Sequence, residues 1–229
     1  MGENDLVKTN TDKDAKPRPT AFIYGGVTFV IVVSALGGYM FLSRPKVSAD
    51  YINKFDAVAT LYQKLGTDSD TTSKQLTGMV QSLENAKDYN SAVKIVDQDL
   101  TIIKNLAAEV SGLNSSIADF NVAAEKVSDP TVRGDSLQVV SLWQQGNTSF
   151  LGVLGYETQY LSSFEQYYEN MAAGRKADLL TDVQAKAISQ GIQNDTDSMS
   201  SIGVGVEAAY SKLSQDLGVQ LQAATTTGQ

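Results

Sequence analysis

Hydrophobic and polar positions alternate in two different ways along this chain, and the change falls near Pro45. From Phe22 to Leu42 the chain reads FIYGGVTFVIVVSALGGYMFL, 21 residues without a charge. About 20 apolar residues suffice to cross the hydrocarbon core of a bilayer as a helix. A soluble helix that is apolar on every face would need protein all around it. Pro17 and Pro19 precede the run, Arg44 and Pro45 follow it, and Tyr24, Tyr39 and Phe41 stand near its ends, as interfacial aromatics do. The pattern predicts a transmembrane helix over 21–43. Secretory signal peptides have shorter apolar regions of roughly 7–15 residues before a small-residue cleavage site. Here the small residues from Ala35 to Gly38 lie inside the run, so the expectation is an uncleaved signal-anchor.

Beyond Pro45 the period becomes helical and amphipathic. Between Asn90 and Val127 the apolar residues Val93, Val96, Leu100, Ile103, Leu106, Val110, Leu113, Ile117, Phe120, Ala124 and Val127 recur every three or four positions. That spacing is the seam of a coiled-coil-like bundle. Punctuation at Lys87 to Asn90, Ser128 to Pro130 and Gly174 to Arg175 divides the region into predicted helices 48–87, 90–127, 131–173 and 176–224. Similar lengths joined by short connections suit an up-down-up-down four-helix bundle. The expected fold is therefore all-α: a single N-terminal transmembrane helix followed by an elongated up-down-up-down bundle over 47–224. Residues 1–20, which have almost no apolar content, are read as a disordered cytoplasmic tail, and 225–229 as a short flexible tail.

Two polar intervals interrupt the pattern, Gly66 to Ser73 (GTDSDTTS) and Asn194 to Ser201 (NDTDSMSS). Across the first, Tyr62, Leu65, Ser69, Thr72, Leu76, Met79 and Leu83 keep the three-four step, which predicts a continuous helix with a polar middle. Near the second, Gly203 and Gly205 predict a local bend.

Composition narrows the chemistry. The 229 residues include neither cysteine nor histidine. That removes disulfides, thiol and imidazole nucleophiles, and the usual zinc and copper ligand sets. The formal net charge is −8, which excludes nucleic acid as a partner, since phosphate neutralisation needs clustered Lys and Arg. Four of the 26 acidic and four of the 18 basic residues precede the span. The remainder, mostly acidic, suits an exported domain, so the expected topology has a cytoplasmic N-terminus and a periplasmic or extracellular C-terminal domain.

Candidate sites follow from the placement of polar and aromatic residues. In such a bundle the first and last helices are expected to be neighbours, with the two polar intervals at roughly 32 and 40 Å from the membrane end. Asp68, Asp70, Asp195 and Asp197 would then gather as an oxygen-rich metal patch, although the calcium-loop pattern is not met. On the third helix Tyr156, Tyr160, Phe164 and Tyr168 are spaced by four and predict a broad aromatic face, either a ligand pocket or core packing. Glu157, Glu165 and Glu169 resemble the carboxylates of acid–base sites, but without histidine the di-iron Glu-x-x-His elements cannot form, and solvent-facing acids are the simpler reading. No catalytic residue and no cofactor is called for. Asn114, Asn147 and Asn194 are acceptor sequons. The Ala21–Gly25 and Ser34–Gly38 pairs have the small-residue spacing of associating membrane helices.

Together these features predict a non-enzymatic, membrane-tethered helical module serving as an interaction or envelope scaffold component. Its expected partners are membrane lipid through 21–43 and a protein partner or a second copy. The layout is similar in outline to extracytoplasmic four-helix sensor domains, which usually lie between two membrane spans. A ligand- or cation-binding sensor-like ectodomain is accordingly the alternative.

Overall fold

The computed structural model describes residues 47–217. The expected span over 21–43 and the tails 1–20 and 225–229 lie outside the described residues. Among those described there are four helices and no strand: α1 (Ala49–Glu84), α2 (Tyr89–Glu125), α3 (Pro130–Ala172) and α4 (Asp182–Leu217). None of these helices is long and apolar enough to cross a membrane.

Each helix starts where a side chain replaces the missing carbonyl partner of the first turn. Ser48 Oγ accepts from Tyr51 N, the Asp88 carboxylate accepts from Ser91 N, and Asp129 accepts from Thr131 N and Val132 N. Pro130 follows Asp129 at the first helical position, where an absent N–H costs nothing. The end of α3 is a Schellman turn: Gly174 has φ +69°, its N–H donates to Met171 O, and Arg175 N donates to Asn170 O.

The start of α4 departs from the expected 176. Residues 174–181 are not helical, and α4 begins at Asp182. A reciprocal cap explains the later start, with Thr181 N donating to Gln184 Oε1 at 3.0 Å and Gln184 N donating to Thr181 Oγ1 at 3.3 Å. Thr-Asp-Val-Gln is the legible signal that the glycine at 174 had overshadowed.

Both polar intervals are helical throughout. In the first, polar side chains find partners along their own helix: Lys64 to Asp68, Lys74 to Asp70, and the Thr67 and Thr71 hydroxyls to carbonyls one turn back. Ser69 and Thr72 stay buried, so the core register carries through. No break occurs at Gly203 or Gly205, where α4 continues. Gly205 instead admits Leu142 of α3, since a Cβ there would sit 3.2 Å from Leu142 Cδ2.

Cross-helix pairs give the direction of each helix. Tyr51–Ser136 and Tyr62–Asn147 are both separated by 85 residues, so α1 and α3 run parallel. Between α3 and α4, Ser149 meets Ser198, Gly152 meets Asp195 and Tyr156 meets Gly191, equal steps in opposite senses and hence antiparallel. Asn114–Asn147 and Tyr89–Tyr168 do the same for α2 and α3. The order is up-down-up-down.

The expected close pairing of the first and last helices is not found. Backbones pack α1 on α2, α2 on α3 and α3 on α4, whereas among the described residues no Cα of α1 lies within 8 Å of one in α4. Large rings occupy that space: Phe55, Trp143 and Tyr210 pack with centroids 5.7–6.0 Å apart. Tyr51, Tyr62 and Phe120 complete this aromatic cluster at the end of the bundle where α1 begins.

Candidate functional site

On α3, the spacing of four that lines up Tyr156, Tyr160, Phe164 and Tyr168 advances 40° per step on a helix of 3.6 residues per turn. The first and last members therefore diverge by about 120°. Tyr156 lies across Gly191 of α4, whereas Tyr168 turns to Tyr89 of α2 with ring centroids 6.4 Å apart. Tyr160, Phe164 and Tyr168 are buried in the core, Tyr160 meeting Phe164 edge to face at 4.9 Å and Phe164 tilted against Tyr168 at 6.1 Å. The structure thus spreads the four residues over two interfaces. Burial raises the Tyr160 and Tyr168 hydroxyls to about 12, so both are neutral donors at any ordinary pH.

The four aspartates are not gathered either. Asp68 pairs with Lys64 at 2.6 Å and Asp70 with Lys74 at 2.5 Å, both within α1. Lys64 also reaches Glu109 of α2 at 2.9 Å. Asp195 lies over Gly152 of α3, and Asp197 accepts from Gln193 at 2.8 Å. Register brings the two polar intervals to similar height, but the helices carrying them are held apart, and Asp68, Asp70 and Asp197 are paired within their own helices. Among the described residues no group of three acidic side chains is placed to hold a metal ion.

Of the three sequons, Asn147 is buried. Its Oδ1 accepts from Tyr62 Oη at 2.9 Å, and its Nδ2 donates to Asn114 Oδ1 at 2.9 Å. This satisfied network links α1, α2 and α3 at one height and defines their register. Asn114 and Asn194 are exposed.

Two carboxylates that the apolar pattern passes over sit at seam positions. Along α2 the buried residues Ala92, Val96, Asp99, Ile103, Leu106, Val110, Leu113 and Ile117 alternate steps of four and three, and Asp99 occupies a core place in that series. Along α3 the series Phe150, Leu154, Glu157, Leu161, Phe164, Tyr168 does the same with Glu157. Burial pushes the Asp99 carboxyl up to about 6 and the Glu157 carboxyl up to about 7. Glu165 and Glu169 lie half-buried and exposed on the same helix. A strict heptad count would have flagged Asp99 and Glu157, because it demands a core residue where each stands.

Asp99 also lines a cavity of about 570 Å³ between α1 and α2. Gln75, Gly78, Met79 and Ser82 form the α1 wall; Ile95, Asp97, Gln98, Thr101 and Ile102 stand with Asp99 on α2. This concavity combines two acids, amides, hydroxyls and three apolar side chains. The chain was compared with protein-family models, with curated proteins and with solved structures, and matches none of them.

Proposed function

We propose that the protein is a single-pass, membrane-anchored helical module whose four-helix bundle projects outside the cytoplasm and works by binding, as an interaction or scaffold component of the envelope. The observation that supports this reading is a juxtaposition. The uncharged run ends at Leu42, and a self-packed bundle begins at Ala49, only a few residues later. A helix anchored in lipid would hold such a bundle close to the membrane surface.

The test uses the full chain tagged at both ends. External protease acting on sealed right-side-out cells should remove the C-terminal tag and spare the N-terminal one, and the chain should sediment with membranes until detergent is added. Recovery of intact chain in the soluble fraction without detergent would overturn the reading.

A second reading, a ligand-binding sensor-like ectodomain, is favoured by one specific observation: the Asp99 cavity is a preformed concavity that opens among polar and apolar side chains.

A further inference from the structure

Asp99 is an anomaly within an otherwise orderly seam. The residue is only 7% exposed, and its carboxylate makes no hydrogen bond or ion pair among the described residues. Buried carboxylates are normally paired, because desolvating an isolated charge is costly. Elsewhere in the bundle the ordinary solution is seen: Asp135, buried on α3, takes Lys212 at 2.6 Å. No Lys or Arg lines the Asp99 cavity.

The geometry points to this cavity as a binding site for a small organic cation, an aliphatic ammonium whose charge pairs with Asp99 and whose methylenes lie on Met79, Ile95 and Ile102. This inference rests on the ligand-binding reading and names the ligand class. Three features of the lining select it. Of the two carboxylates in the lining only Asp99 is buried, while Asp97 is exposed; one desolvated negative charge suits a monocation, whereas hard divalent ions take six to eight oxygens and several carboxylates. Gln75, Gln98, Ser82 and Thr101 offer oxygens to the remaining ammonium hydrogens. The apolar side chains give nothing to a bare metal ion but suit an alkyl stem.

Gly78 on the α1 wall bears on access. A Cβ built there meets nothing within 4 Å, so the space before it is open. A larger side chain at 78 would grow into the cavity without displacing the helix.

The experiment is methyl NMR on the full chain in non-ionic detergent with isotopically labelled methionine. The chain has five methionines, and Met79 is the one that lines the cavity; Met79→Leu assigns its signal. The probes are n-butylammonium, 1-butanol and butyrate. Butylammonium should shift the Met79 signal saturably, with an affinity on the order of millimolar for so few atoms, while the other two leave it in place. Asp99→Asn should weaken that binding roughly ten- to hundredfold, the contribution of one charge-assisted pair, while raising the melting temperature. Gly78→Leu should block binding with the fold retained and Asp99 untouched. If butanol or butyrate moves Met79 as strongly as butylammonium, the cationic class is wrong and the ligand-binding reading stands. If no probe moves Met79, the ligand-binding reading fails as well. Unchanged butylammonium affinity in Asp99→Asn would overturn the assignment of the charge pair.

Discussion

The end of the bundle where α1 begins and its polar middle are built on the same heptad seam and use it in opposite ways. Near the start of α1 the core is a cluster of rings, Tyr51, Phe55, Phe120, Trp143 and Tyr210, all fully buried. Two of the hydroxyls there find partners, Tyr51 Oη meeting Ser136 Oγ at 2.7 Å and Tyr62 Oη donating to Asn147, while the buried Trp143 Nε1 has none among the described residues. Further along, Ser69, Thr72, Asp99 and Thr196 are buried and Glu157 half-buried on the four helices. The 85-residue offset between α1 and α3 puts Thr72 level with Glu157. Here the unpaired groups include a carboxylate at a seam position. Thr196 Oγ1 lacks a hydrogen-bond partner among the described residues, and Asp99 lacks one as well. One region maximises cohesion; the other holds desolvated polar groups that weaken it and a cavity that opens it. Dense ring packing and the open polar cavity are therefore separated along the long axis of the bundle.

The sharpest way to break this contrast is at the aromatic cluster. Trp143 touches the rings of Phe55, Tyr62, Phe120 and Tyr210. Trp143→Ala should cost about 3–5 kcal/mol in thermal unfolding of the full chain, because the neighbouring rings cannot collapse into so large a void. A loss below about 1 kcal/mol would mean that cohesion is not concentrated there.

A smaller effect is expected where α3 and α4 interlock. Tyr156 lies against Gly191 and Asp195 against Gly152, each large side chain seated on a glycine of the other helix. Gly191→Ala places a methyl within the Tyr156 ring and should destabilise by about 1–3 kcal/mol, more than the gain in helix propensity returns.

The polar middle has its own signature in pH. Asp99 and Glu157 are raised in the folded state to about 6 and about 7. The native protein therefore binds more protons than the unfolded chain between roughly pH 4 and pH 7. Stability should fall as pH rises through that window and level off above it. Asp99→Asn should remove about 1–3 kcal/mol of this dependence and raise the melting temperature at pH 8. Tyr62, shifted further upward by burial, stays protonated throughout and takes no part.

At the small end, Gly78→Ala meets open space and should stabilise by about 0.5–1 kcal/mol, the opposite sign from Gly191→Ala. Lys64→Met, which removes exposed pairs with Asp68 and Glu109, should change stability by less than about 0.5 kcal/mol.

What the amino-acid order determined by itself was the class and direction of the fold. Steps of three and four from Val93 to Val127 can bury one face only as a helix, and Asp129-Pro130 can only start one. Helix and cap signals are local, so four helices in up-down-up-down order were legible from spacing alone. The capping sequence at Thr181 was equally local, and its four letters carried the later start of α4. Tertiary structure alone decided the rest. The gap between α1 and α4 depends on how Phe55, Trp143 and Tyr210 fill a shared volume, and no single helix encodes that. The divergence of Tyr156 and Tyr168 depends on which neighbour each meets. Asp99 is visible as one acid among 26 acidic residues; its isolation is a property of the side chains that pack around it, since a charge is paired or unpaired only by what three-dimensional packing brings within reach.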